Sequence, residues 1–283
     1  MKRWLLAVTV FASMAAAACA QPPASKIVRL FAVRTEFDSG FLDPLLADFQ
    51  SRTGYQVVSA SGKDAYQEAM KGDVDVVLSH YRHDGLGAFI THGYGLWPEP
   101  VMANVTGFLA PPDDPAHIKG LTNGIEIFRR IAAAKAPFIV NGDVNSRYVL
   151  ATLWHAAGQP DRQNWYIDSN IEGLDSAKRA AQQHAYSMWG VTAFVKAAQS
   201  DKLALDVVVP TDSLMQRVMV CVVVNPAKFP HANVTGGKAL QSYLLSPETQ
   251  ARIAAFRYAG IDQPVFLPAG RNNENPVLQA VTK

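Results

Sequence analysis

KAPFIVNGDVNSRYVLATLWHAAG, residues 135–158, holds a short apolar run, FIV, that stops at NGDVNS before a helical pattern begins through RYVLATLWHAAG. This is one strand–loop–helix unit. Its loop leads into a helix start, where free backbone N–H groups carry partial positive charge and favour an anion. The same alternation extends upstream. KIVRLFAV reads as a strand, and SGFLDPLLADFQSRTG places Phe41, Leu42, Leu45, Leu46 and Phe49 at helical spacing, with Gly54 as the stop. YQVVSA, the helix DAYQEAMKG and the strand VDVVLSH follow, then the strand of VTGFLAPPDDPAHIKG and the helix of NGIEIFRRIAAAKA. Downstream, WYIDSN, EGLDSAKRAAQQH, AYSMWG, TAFVKAAQS and ALDVVVP continue the pattern. VMVCVVVNP is a strong strand, and GGKALQSYLLSPETQARIAAFRYAG is a helical pair interrupted near Pro247. Strands alternating with helices imply an α/β fold with a mostly parallel sheet and right-handed crossovers.

The 283 residues suit one large domain or two ordinary ones, and 49% hydrophobic with 18% charged residues supports a full core and excludes disorder. The formal net charge is +2, without long basic runs, so no nucleic-acid footprint is present. Residues 1–20 read as an export signal: Lys2 and Arg3, the apolar WLLAVTVFASMAAAA, and the small-residue site Ala18-Cys19-Ala20. Its removal takes away both charges and leaves a formally neutral mature chain starting at Gln21. A lipid anchor on Cys19 is the alternative, although AAAAC is a weak lipobox. Cys221, in RVMVCVVVNP, then reads as an inert buried thiol with no disulfide partner.

Several chemistries are absent. There is no G-x-S-x-G elbow, and SGKD lacks the upstream glycine and the hydroxyl of a P-loop. His80 and His83 have no evident third metal ligand, and Asp113 and Asp114 in PPDDP read as a surface turn. Anion binding at strand ends remains. VRTEFDSG offers Arg34, Thr35, Asp38, Ser39 and Gly40. VNGDVNSRY offers Asn141, Gly142, Asn145, Ser146 and Arg147. SASGKD offers Ser59, Ser61, Gly62 and Lys63. The same Ser, Asp and Asn residues also serve as ligand-free helix caps, and Arg147 could pair with a nearby acid instead.

DSGFLDPLLADFQSRTGYQV, GDVDVVLSH, HGYG, PPDDPAHIKG, IFRRIAAAKAPF, LWHAAG, VVNPAKFPH and LLSPETQ, in that order, resemble the periplasmic tungstate-binding proteins of ABC transporters, from about Ile27 to Pro268. The resemblance implies a type II periplasmic binding protein: two βα lobes joined by two crossovers, with a cleft that closes on ligand. The chain is expected to cross near Asn104–Gly107 and near Leu214–Val220. Residues 21–106 plus 219–270 would form lobe I, 107–218 lobe II, and 271–283 a loose tail. The binding loops depart from the family. TTST is replaced by Val33, Arg34, Thr35 and Glu36. R-G-D-x-S-G-T becomes NGDVNSR, with Asn141 at the arginine position and Arg147 at the last threonine. D-R-G-T falls on Gly190, Val191, Thr192 and Ala193. The ligand set implied is Arg34, Thr35, Ser61 and Gly62 from lobe I, and Asn141, Asn145, Ser146 and Arg147 from lobe II. The expected function is capture of a tungstate-like or larger anion for an ABC permease, by a monomer without enzymatic activity, cofactor, metal or nucleic-acid partner. The rival expectation is a periplasmic sensing or protein-interaction module, with a sensor or secretion partner, that reuses the fold.

Overall fold

A computed structural model describes residues 25–37 and 39–269. The expected leader with Cys19, Asp38 and the expected tail lie outside the described residues.

The chain opens with β1 (Ile27–Val33), a helical turn α1 (Arg34–Phe37) and α2 (Leu42–Thr53). The helix α2 buries Leu42, Leu45, Leu46 and Phe49, the i, i+3, i+4, i+7 positions of one face, and ends where Gly54 takes φ 69°. β2 (Gln56–Gly62), α3 (Ala65–Met70), β3 (Val76–His80) and α4 (Leu86–Thr91) complete the first run of βα units. β1 pairs in parallel with both β2 and β3. All five residues of β3 are buried, as befits a strand covered on both faces.

β4 (Glu99–Ala110) makes the two lobes one molecule. Its first half pairs with β9 (Gln216–Val223) as far as Val105, and from Thr106 onward its partners are β7 (Ser187–Gly190) and β8 (Asp206–Val208). Between β4 and β7 lie α5 (Gly124–Ala134), β5 (Phe138–Ile139), α6 (Val144–Ala156), β6 (Tyr166–Ile167) and α7 (Gly173–Gln182), and α8 (Val191–Asp201) separates β7 from β8. After β9 come α9 (Val234–Leu244), α10 (Pro247–Ala255) and β10 (Phe266–Pro268), which pairs with the first half of β4. The lobe I order is β10-β4-β9-β3-β1-β2. β9 runs antiparallel to β3 and β4 because the chain re-enters lobe I from the lobe II side, at the carboxyl ends of the parallel strands. Cys221 sits fully buried in β9, where burial pushes its thiol up to about 12, so it packs as a small apolar side chain.

Lobe I has one core, including Phe49, Tyr66, Phe89, Val222 and Phe266. Lobe II has two clusters, one around Phe108, Phe128, Phe138 and Tyr186 and a smaller one around Ile139, Ala177 and Phe194. Val191 and Val195 of α8 belong to the lobe I cluster, so the lobes meet there through apolar contact.

Two local readings change. VRTEFDSG begins as the helical turn α1 instead of a loop, directly after β1. β2 continues through Ser61 and Gly62, which pair with Ala32 and Val33 as sheet residues. The residue types at both places allow a loop; the neighbouring strand β1 imposes the pairing. Asp114 is buried rather than on a surface turn. Its carboxylate accepts hydrogen bonds from Tyr186 Oη and from the Ile118 and Lys119 amides, so it braces the turn internally.

Candidate functional site: the lobe junction around Thr106

Thr106 is fully buried at the point where β4 passes between lobes. Its backbone lies opposite Gly190, the residue before α8. Its hydroxyl accepts a hydrogen bond from Asn145 Nδ2 in the first turn of α6, at 3.0 Å. Two helix starts therefore converge on the crossover. On the lobe I side, Asn104 Nδ2 lies 3.2 Å from His80 Nε2, at the carboxyl end of β3.

The entry to α6 is held by side chain and backbone together. Asp143 caps the helix by accepting the Ser146 N–H at 3.0 Å. Gly142 donates its N–H to Ile171 O at 2.7 Å, and a Cβ at Gly142 would sit 2.9 Å from that oxygen, so only glycine fits. Asn141 Oδ1 accepts the Gly173 and Asp143 N–H groups. Asn141 is 1% exposed, yet its Nδ2 has no partner among the described residues. The same holds for Thr192 Oγ1, in the first turn of α8 and 3% exposed. Asp143 Oδ2 is a third such atom, and it keeps one negative charge at the start of α6. Buried polar atoms normally find partners, so two unmet donor-capable groups beside two helix starts mark a place where a ligand's acceptors fit.

The eight expected ligand residues separate into groups. Arg34 follows Val33, which pairs with Gly62, and Ser61 lies opposite Ala32, so the β1 and β2 ends bring Arg34, Ser61 and Gly62 together. Arg34 is exposed; the Thr35 side chain lies outside the described residues. Asn141, Asn145 and Ser146 gather at the start of α6, but Ser146 is buried and its hydroxyl faces Met188 O at 3.4 Å, a structural position. Arg147 pairs with an acid of its own lobe, the alternative that the sequence left open. Its Nη1 and Nη2 clamp Asp168 at 2.8 and 2.9 Å, Nη2 also reaches Asn170 Oδ1, and Nε donates to Gly142 O. The Arg147 guanidinium holds the Asp168 carboxyl below the usual carboxylate range, and Asp168 in turn raises Arg147. A planar fork paired bidentately with a carboxylate of its own lobe has few donors left for a solute.

Thr106, Thr192, His80 and Asn104 were not expected in the site. Thr192 lay within the family's D-R-G-T stretch, which gave the one available signal. The others follow from β4 switching partners. His80 and His83 do not share a metal arrangement: His83 Nδ1 faces Asp84 O, and no group of three His, Cys, Asp or Glu suited to a metal occurs among the described residues.

Comparison with known proteins gives a consistent picture. The profile of the PBP superfamily domain matches residues 20–248. A putative ABC transporter anion-binding protein of Haloferax volcanii is 30% identical over 248 residues, covering 85% of this chain and 71% of that protein. The tungstate-binding protein TupA of Peptoclostridium acidaminophilum is 29% identical, covering 82% of each. Among solved structures, TupA of Desulfovibrio alaskensis superposes with a TM-score of 0.71 at 24% identity, covering 87% of this chain and 99% of that one. The tungstate ABC transporter structure from Geobacter sulfurreducens gives 0.63 at 26% identity, covering 81% and 98%. The chain belongs to the PBP superfamily and, within it, to the family of periplasmic anion- and tungstate-binding components of ABC transporters.

Proposed function

We propose that this protein captures an anionic solute at the lobe junction and presents it to an ABC permease. The observation that carries the reading is the pair of buried, unpartnered groups, Asn141 Nδ2 and Thr192 Oγ1, set at the starts of α6 and α8 beside the crossover residue Thr106. Oriented N–H groups and neutral donors suit an oxyanion or a carboxylate, and the exposed cation Arg34 adds charge from lobe I. A ligand touching both lobes favours the closed form by its differential affinity. The relatives named for tungstate and anion binding support the same class of solute.

The proposal includes the division into lobe I (21–106 plus 219–270) and lobe II (107–218). It also includes export through residues 1–20, with a lipid anchor on Cys19 as the variant form. No described helix is long and apolar enough to cross a membrane. The protein acts as a monomeric binder, not as an enzyme, and takes no nucleic acid. Arg34, Thr35, Ser61, Gly62, Asn141 and Asn145 stay in the proposed ligand set; Ser146 and Arg147 move to supporting roles.

Titration calorimetry of the mature chain against tungstate, molybdate, sulfate, phosphate and small carboxylates tests this. Saturable heat from one of them is expected, and no heat from any would overturn it. A second reading, a sensing or protein-interaction module, draws on one observation: Val191 and Val195 join the lobes through apolar contact, as a fixed scaffold would. Binding of a protein partner by a chain that takes no anion would establish that alternative.

A further inference from the structure

We propose that Arg82, with the Val144–Tyr148 face of α6, forms the specificity wall of this site and selects a small organic carboxylate over a bare tetrahedral oxyanion. The inference rests on the anion-binding reading above and deepens it.

Arg82 lies two residues past β3, on the lobe I side, and its guanidinium carbon sits 4.8 Å from the centroid of the Tyr148 ring on α6. The contact therefore spans the two lobes. A ring face attracts a cation but accepts few of its N–H donors in plane, and Arg82 makes no hydrogen bond or ion pair among the described residues. The fork remains open for a carboxylate, which matches its geometry bidentately. Arg147, by contrast, is closed by Asp168.

Val144 and Tyr148 are one helical turn apart and share a face of α6. Val144 is 87% exposed and Tyr148 51% exposed, beside the helix start where Asn141 Nδ2 has no partner. An exposed valine in the first turn gains nothing from capping and has no packing role. It does offer apolar surface immediately next to an anion-accepting end. A solute with a carboxylate and an apolar body would cover Val144 and the Tyr148 ring while its charge meets Arg82 and the α6 amides.

A carboxylate with an apolar body covers the exposed Val144 and Tyr148 surface, a contact that tungstate or sulfate lacks.

The test is calorimetry on the mature chain with four probes: tungstate, acetate, 3-methylbutanoate and benzoate. Benzoate or 3-methylbutanoate is expected to bind at least tenfold tighter than acetate and than tungstate. Tyr148→Ala and Val144→Asn should each lower the benzoate-to-acetate affinity ratio about tenfold, and Arg82→Gln should weaken every carboxylate at least tenfold. All three positions are exposed, and unchanged circular dichroism checks that each variant folds. Tight tungstate binding without benzoate binding, or an unchanged ratio in Tyr148→Ala, overturns this inference and leaves the anion reading intact. No binding of any probe overturns this inference, and the anion reading falls with it only when molybdate, sulfate and phosphate also give no heat.

Discussion

Each lobe carries an arginine held bidentately by an aspartate, and the two pairs have opposite surroundings. In lobe I, Asp75 is fully buried and accepts from Arg29 Nε, Nη2 and backbone N–H and from the Asn233 N–H. The pair joins β1 and the strand beside it to the start of α9. In lobe II, Arg147 and Asp168 are 38% and 40% exposed at the side chain and join the first turn of α6 to the loop after β6. The same chemical fork thus builds a core joint in one lobe and sets a loop in the other. A buried charge depends on its partner, while an exposed one is shared with water.

The sharpest way to break this comparison is Asp75→Ala. It strands the Asn233 N–H and removes the anion facing Arg29, and should cost about 3–5 kcal/mol in chemical denaturation. A loss below about 1 kcal/mol would make the two pairs equivalent and end the distinction.

Asn141→Ala comes next. It removes the open Nδ2 donor together with the acceptor for Gly173 N–H, and should weaken the calorimetric affinity for the bound anion by about 1–3 kcal/mol. Unchanged affinity would take Asn141 out of the ligand set.

Arg147→Ala should lower stability by about 1 kcal/mol or less, read as a small drop in Tm, and leave anion affinity unchanged. A large loss of affinity with an unchanged Tm would return Arg147 to the ligand.

The smallest effect is in pH. Arg147 depresses the Asp168 carboxyl, so this pair's contribution is fully present above the ordinary aspartate value and is lost as pH falls through the depressed one. The Tm gap between wild type and Asp168→Asn should therefore be present at neutral pH, worth about 0–1 kcal/mol, and close on acidification below about pH 4. A gap that widens in acid would contradict the sign.

Much of the fold was legible because it is local. Helical spacing in 41–49 and the alternation across the first eighty residues gave the βα units directly. The site was less legible. NGDVNSR placed Asn141, Asn145 and Arg147 within a few residues of one another, but at the entry to α6 they point three ways: Asn141 into the Gly173 turn, Asn145 to Thr106, Arg147 to Asp168. Residue types at a loop name candidate polar groups; the partners they meet come from segments about 20 to 40 residues away.

The sequence by itself determined the α/β class and the order of the units, because apolar periodicity and turn residues act over a single strand or helix, and its ordered motifs carried the family resemblance. Only the tertiary structure decided that β4 serves both lobes, that Arg147 is closed by Asp168, and that Arg82 reaches the Tyr148 ring. Those pairings join residues far apart in the chain, and their strength depends on burial and direction, which exist only once the lobes have packed.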